Sequence, residues 1–169
     1  VRSSAVLLLG ATLLSAGILR AAPAETETVI GLRQTLMPTK ANADAWPDVR
    51  QSRMVALYVP EGAAVSPFLA PGSFTSTWEG YLNLPINDSF VFSVRGRGAV
   101  SIDLEGKRIL SSEGPELDGV KSREMNLRKG PNPIRVVYRS PVSGHAGLKL
   151  YWWNPLQPRE PVPPGAFTC

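Results

Sequence analysis

Residues 89–110 read SFVFSVRGRGAVSIDLEGKRIL, and their pattern decides the fold. Phe90, Phe92 and Val94 alternate with Val91, Ser93 and Arg95. Val100, Ile102 and Leu104 then fall on one side, and Ser101, Asp103 and Glu105 on the other. Successive side chains of a strand point to opposite faces, so this period of two predicts half-buried β-strands. Glu105-Gly106 supplies the reversal into a further strand at Lys107–Leu110. The two apolar runs are read as separate strands, with Gly96-Arg97-Gly98 between them.

The same pattern extends outward in both directions. Thr28–Leu36, Arg53–Val59 and Phe74–Leu82 are strand-like before it; Arg123–Leu127, Ile134–Arg139 and Leu148–Trp153 follow. Ala41–Trp46 suits a single helical turn, stopped by Pro47. Residues 60–73 are rich in Pro, Gly, Ala and Ser and read as a loop, as do Ser111–Val120. After the lead-in segment, seven or eight short antiparallel strands, each with one polar face, predict an all-β antiparallel sandwich. Trp78, Phe90, Phe92 and Trp152 are its expected core.

Composition agrees. The 169 residues hold 15 Gly and 16 Pro, which favours turns and strands over helical bundles. Net charge is +4, but the basic residues are scattered and leave no nucleic-acid footprint. One cysteine, Cys169, and one histidine, His145, exclude an internal disulfide, a cysteine-based zinc site and a histidine-rich metal centre. No G-x-S-x-G elbow occurs, His145 lies in a Ser143–Gly147 turn sequence, and no carboxylate pair stands out by spacing. The chain is expected to be non-catalytic and to carry no cofactor.

The N-terminus reads as a membrane-targeting segment. Arg2 precedes an uncharged run from Ser3 to Leu19, and Arg20 closes it. Ala5, Leu7, Leu8, Leu9, Leu13, Leu14, Ile18 and Leu19 give the run its apolar character. As a helix it spans about 26 Å, a little less than a ~30 Å hydrocarbon core. Ala22-Pro23-Ala24 also fits a signal-peptide cleavage site. Cleaved signal peptide and retained lipid-bilayer anchor both stay open; either places residue 25 onward on the periplasmic or extracellular side. Four segments follow: 1–24 as signal or anchor, 25–49 as an extended lead-in, 50–153 as the sandwich, and 154–169 as a proline-rich, linker-like tail.

Gly72–Leu82 with its Trp78-Glu79-Gly80-Tyr81, the Phe90-Val91-Phe92 strand, Leu104-Glu105-Gly106-Lys107 and Leu148–Trp152 together resemble the protective-antigen-type β-sandwich domain. Val55–Pro60 and Pro161–Pro164 make it similar to modules attached to c-type cytochromes in secreted bacterial proteins. The resemblance implies a binding module. In its glycan-binding members adjacent loop aspartates hold calcium, which grips sugar hydroxyls. Here the corresponding place reads Arg95-Gly96-Arg97-Gly98, so no calcium ligand set is expected.

Arg95 and Arg97 are candidate docking residues for an acidic surface or lipid headgroup, or else solvated strand-end charges. Tyr151 and Trp153 face away from Trp152 and either stack on a partner or lie under the tail. Pro155, Pro158 and Pro161 are candidate contacts of a tail laid along a partner. The resulting expectation is a membrane-anchored accessory or scaffolding subunit of a larger membrane protein complex, electron-transfer or photosynthetic, with a c-type cytochrome among its partners. The alternative is a carbohydrate-binding module with glycan as its partner.

Overall fold

The computed structural model describes residues 29–40 and 46–169. The targeting segment and the expected turn at 41–45 lie outside the described residues. Eleven strands are described: β1 (Leu32–Pro38), β2 (Asp48–Ser52), β3 (Ala56–Val59), β4 (Phe74–Leu84), β5 (Asp88–Leu104), β6 (Lys107–Gly114), β7 (Met125–Leu127), β8 (Gly130–Arg139), β9 (Ala146–Asn154), β10 (Gln157–Pro161) and β11 (Phe167–Thr168). The only helical element among the described residues is a 3-10 turn at Pro164–Ala166. No helix among them is long and apolar enough to cross a membrane.

The architecture is an antiparallel β-sandwich. One sheet runs β2-β1-β4-β8, then the second half of β5, then β6. In the other, β9 lies between the first half of β5 and an edge shared by β3 and β10, while β7 pairs the start of β5. Between the sheets lies one apolar core, with Trp78, Phe92, Tyr138, Leu150 and Phe167 almost wholly buried. Phe90 stacks on Trp152 at 4.3 Å between ring centroids. All four expected core aromatics are buried.

The separation of residues 89–104 into two strands is corrected. β5 is one strand of 17 residues that leaves the β9 sheet after Arg97 and joins β8 at Ala99. Val94 and Val100 are an even number of residues apart, so the buried phase passes through the glycines without a reversal. The corner needs glycine. Gly96 has φ +144° and Gly98 φ +127°. A Cβ on Gly96 would lie 2.0 Å from the Gly147 carbonyl oxygen, and one on Gly98 2.5 Å from that of Arg139.

Both flanks of the expected domain are part of the sandwich. β1 sits between β2 and β4, so the lead-in is structural. Residues 154–169 are no free linker. β10 pairs β9, Val162 N–H donates to the Leu150 carbonyl, and β11 pairs β4 with Phe167 opposite Leu82. Prolines mislead here because an edge strand tolerates a missing N–H. Pro158 and Pro161 stand on such an edge, and Pro155 occupies the turn between β9 and β10. Residues 29 and 169 exchange two backbone hydrogen bonds, of 2.9 and 3.2 Å. Truncating Phe167 to Ala should therefore cost about 3–5 kcal/mol, as for a core phenylalanine. Urea unfolding of the F167A variant checks this; an unchanged midpoint would return the tail to the role of linker.

Candidate functional site

The β5 corner lies at one pole of the sandwich, beside the start of β4 and the end of β8. Four segments gather there: the β1–β2 connection (Pro38–Lys40, Trp46 and Pro47), the β3–β4 loop (Phe68–Ser73), the end of β6 (Glu113–Pro115) and the β8–β9 loop (Ser140–Ser143). Together with Arg97, Gly98 and Ala99 they line an open cleft of about 1480 Å³.

Main-chain bonds hold the walls. Thr39 N–H donates to the Ser73 carbonyl at 2.8 Å. Phe74 N–H donates to Ser140 Oγ, and Ser140 N–H donates back to the Phe74 carbonyl, both at 2.9 Å. Glu61 accepts from Gly144 N–H at 2.9 Å. Beneath the corner, the Tyr138 hydroxyl donates to the Arg97 carbonyl and accepts from Gly147 N–H. It thereby ties β8, β5 and β9 together.

Two aromatic side chains stand bare on this pole: Trp46 is 84% exposed and Phe68 81%. Neither belongs to an alternating run, so periodicity did not mark them. The signal that could have found them is a large apolar ring inside a connection, Trp46 just before Pro47 and Phe68 within the Pro- and Gly-rich stretch 60–73. The charged residues of the cleft are Lys40, Arg97 and Arg139 against Asp48 and Glu113. Glu113 pairs with Arg139 at 3.6 Å. Arg97 has no ion-pair partner among the described residues, and its buried Nε has no hydrogen-bond acceptor.

The other sequence-predicted residues lie elsewhere. Arg95, Tyr151 and Trp153 share the outer face of the β9 sheet. Arg95 is bound by Asp118 at 3.0 Å. Tyr151 lies under the Arg159 guanidinium, 4.5 Å from the ring centroid, and Arg159 donates to Ser93 Oγ. Tyr151 is thus covered by β10. Trp153 is half-buried, Pro155 and Pro158 are exposed, and Pro161 packs beside Tyr151 in the β10–β9 register. Of these residues only Arg97 reaches the cleft.

The residues at the corner do not fit calcium. Asp118 is taken by Arg95, Asp103 by Arg108, and Asp88 accepts from Asn154 Nδ2 and Ser89 N–H. Among the described residues, no three His, Cys, Asp or Glu side chains stand together as a metal site. A calcium ion needs six to eight oxygen ligands. Two arginines on the corner strand oppose any such site.

The family model of the PA14 domain matches residues 63–166, more than half of the chain. The chain belongs to the PA14 domain family. Solved structures share the fold at low identity. An anti-sigma factor domain-containing protein from Clostridium clariflavum superposes with a TM-score of 0.70 at 16% identity, over 81% of this chain and 46% of its own. This chain therefore spans less than half of that protein's length. A PA14 sugar-binding domain from an RTX adhesin gives 0.65 at 15% identity, over 83% and 98% of the two chains. The Epithelial Adhesin 6 A domain from Candida glabrata, solved in complex with Galb1-3GlcNAc, gives 0.66 at 11%, over 86% and 89%. No curated protein matches the chain.

The Tyr138 clamp gives this PA14 domain a measurable signature. Burial pushes the phenol from 10.0 up to about 12. Above pH 10 the unfolded chain loses this proton while the folded one keeps it, so stability falls between pH 10 and 12. Tyr138→Phe should lose about 1–3 kcal/mol at neutral pH, because Gly147 N–H is left without an acceptor. It should also flatten that part of the alkaline stability decline. Chemical denaturation of both proteins from pH 7 to 12 checks the pair of effects.

Proposed function

We propose that this PA14 domain is a non-catalytic carbohydrate-binding module of an exported protein, taking glycan at the polar cleft without calcium. The observation that carries this reading is the pairing of Trp46 and Phe68, both bare, on a cleft with hydroxyl-bearing walls. A sugar ring offers an apolar C–H face ringed by hydroxyls. Binding sites for small ligands combine apolar platforms with a few well-placed polar groups. Thr39, Ser73, Ser140 and Ser143 supply polar groups around the two rings. The sugar-binding titles of two fold neighbours lend support.

The expectation of a scaffolding subunit rested on an apolar anchor, a missing calcium pair and a proline-rich tail laid along a partner. That tail is used up inside the domain's own sheets. A c-type cytochrome partner retains only the sequence resemblance behind it. The apolar run at Ser3–Leu19 suits export equally well as signal or tether.

Replacing Trp46 and Phe68 together by Ala should lower glycan affinity at least tenfold, about 1.4 kcal/mol. Both side chains are exposed, so the melting temperature should barely move. A glycan array probed with and without chelator, followed by titration of the best ligand, checks this. Undiminished binding by the double variant would refute the site, and loss of binding on chelation would refute its independence of calcium.

A further inference from the structure

We infer that the glycan recognised by this cleft carries a carboxylate, and that Arg97 is the residue that reads it; the inference rests on the carbohydrate-binding reading. Arginines on the neighbouring strands are matched locally: Arg95 with Asp118, Arg108 with Asp103, Arg135 with Glu79 and Arg139 with Glu113. Arg97 lines the cleft and has no such partner among the described residues. Its Nε is buried and unpaired. A guanidinium keeps its charge at any accessible pH, so it cannot relieve this by losing a proton.

Packing holds the side chain instead. The guanidinium lies against the backbone of Gly144, where an added Cβ would approach Nη1 to 2.8 Å. The Arg97 main chain is fixed by the Tyr138 hydroxyl, and Gly144 N–H by Glu61. A cation immobilised in this way on a cleft wall is preorganised for an anion. Its planar fork matches a carboxylate better than a neutral hydroxyl. Among the described charges of the cleft, Lys40 offsets Asp48 and Arg139 engages Glu113, which leaves Arg97 as the net positive charge. The bare rings of Trp46 and Phe68 favour a ring-shaped acid, such as a uronic acid, over an acidic peptide.

The test titrates the intact chain with oligogalacturonate, oligoalginate and hyaluronate fragments, and with neutral galacto- and gluco-oligosaccharides of equal length. At least one uronate should bind ten times more tightly than its neutral counterpart at 20 mM salt. That advantage should shrink strongly at 500 mM. Arg97→Gln should erase the advantage, and Arg97→Lys should restore part of it. The salt series on the unmodified chain keeps the inference testable if the variants fold poorly. Neutral sugars binding as well as uronates, or a preference that survives Arg97→Gln in a folded variant, would overturn the inference and leave the carbohydrate-binding reading intact. Silence of the whole panel would overturn both, as would tighter binding of a polyglutamate peptide than of any saccharide.

Discussion

Everything in this sandwich depends on two backbones approaching too closely for any side chain to stand between them. At Gly96 and Gly98, β5 turns from one sheet into the other against the carbonyls of Gly147 and Arg139. Side chains there would force β5 away from β8 or β9. The sheets would then lose the strand that makes them one hydrogen-bonded body. Tyr138 reinforces the corner from inside by bonding to Arg97 and Gly147 together. Its hydroxyl is a buried polar group satisfied on both sides, by main-chain groups that the bend would otherwise leave exposed to the core. The corner also explains why Arg97 stands where it does. The residue between two obligate glycines cannot move independently of the sheet junction.

The alternation within residues 89–110 was legible because a half-buried strand imposes a period of two that no other element shares. The core aromatics followed directly. What misled was local punctuation. Arg95-Gly96-Arg97-Gly98 has the composition of a turn, yet the even spacing from Val94 to Val100 already kept both halves in phase. Five prolines after Asn154 resemble a linker, yet Phe167 carries a core residue past them to a slot beside Leu82. That contact joins residues far apart in the chain, which no local pattern can announce. The cleft was the least legible feature. Trp46 and Phe68 belong to separate connections without periodicity, and only the pairing of β1 with β4, and of β4 with β8, brings them to one pole.

The two poles of the domain have different tasks. β4 begins at the cleft with Phe74 and reaches Leu82 after about 26 Å of strand at ~3.3 Å per residue. There β11 joins it, and residues 29–31 close onto residues 167–169. The chain therefore enters and leaves the sandwich at the end away from the cleft. Any segment attached before residue 29 or after residue 169 meets the domain on the side opposite the cleft.

On the proposed reading, arginines at the corner, where the resembled glycan-binding members carry aspartates, change the physics of recognition. A calcium-bridged site must gather several acidic oxygens, hold them against mutual repulsion and rely on the ion to cancel that charge. An arginine brings its own positive charge and its own fixed geometry, and needs no third component. The cost is that its charge remains uncancelled until a ligand arrives. Nature commonly disposes of such a charge with a neighbouring carboxylate, as this fold does for Arg95 and Arg139 on either side of the corner. On the proposed reading Arg97, with no such partner among the described residues, keeps its charge open on the wall of the cleft beside the exposed aromatics. An incoming anion is then the group that cancels that charge.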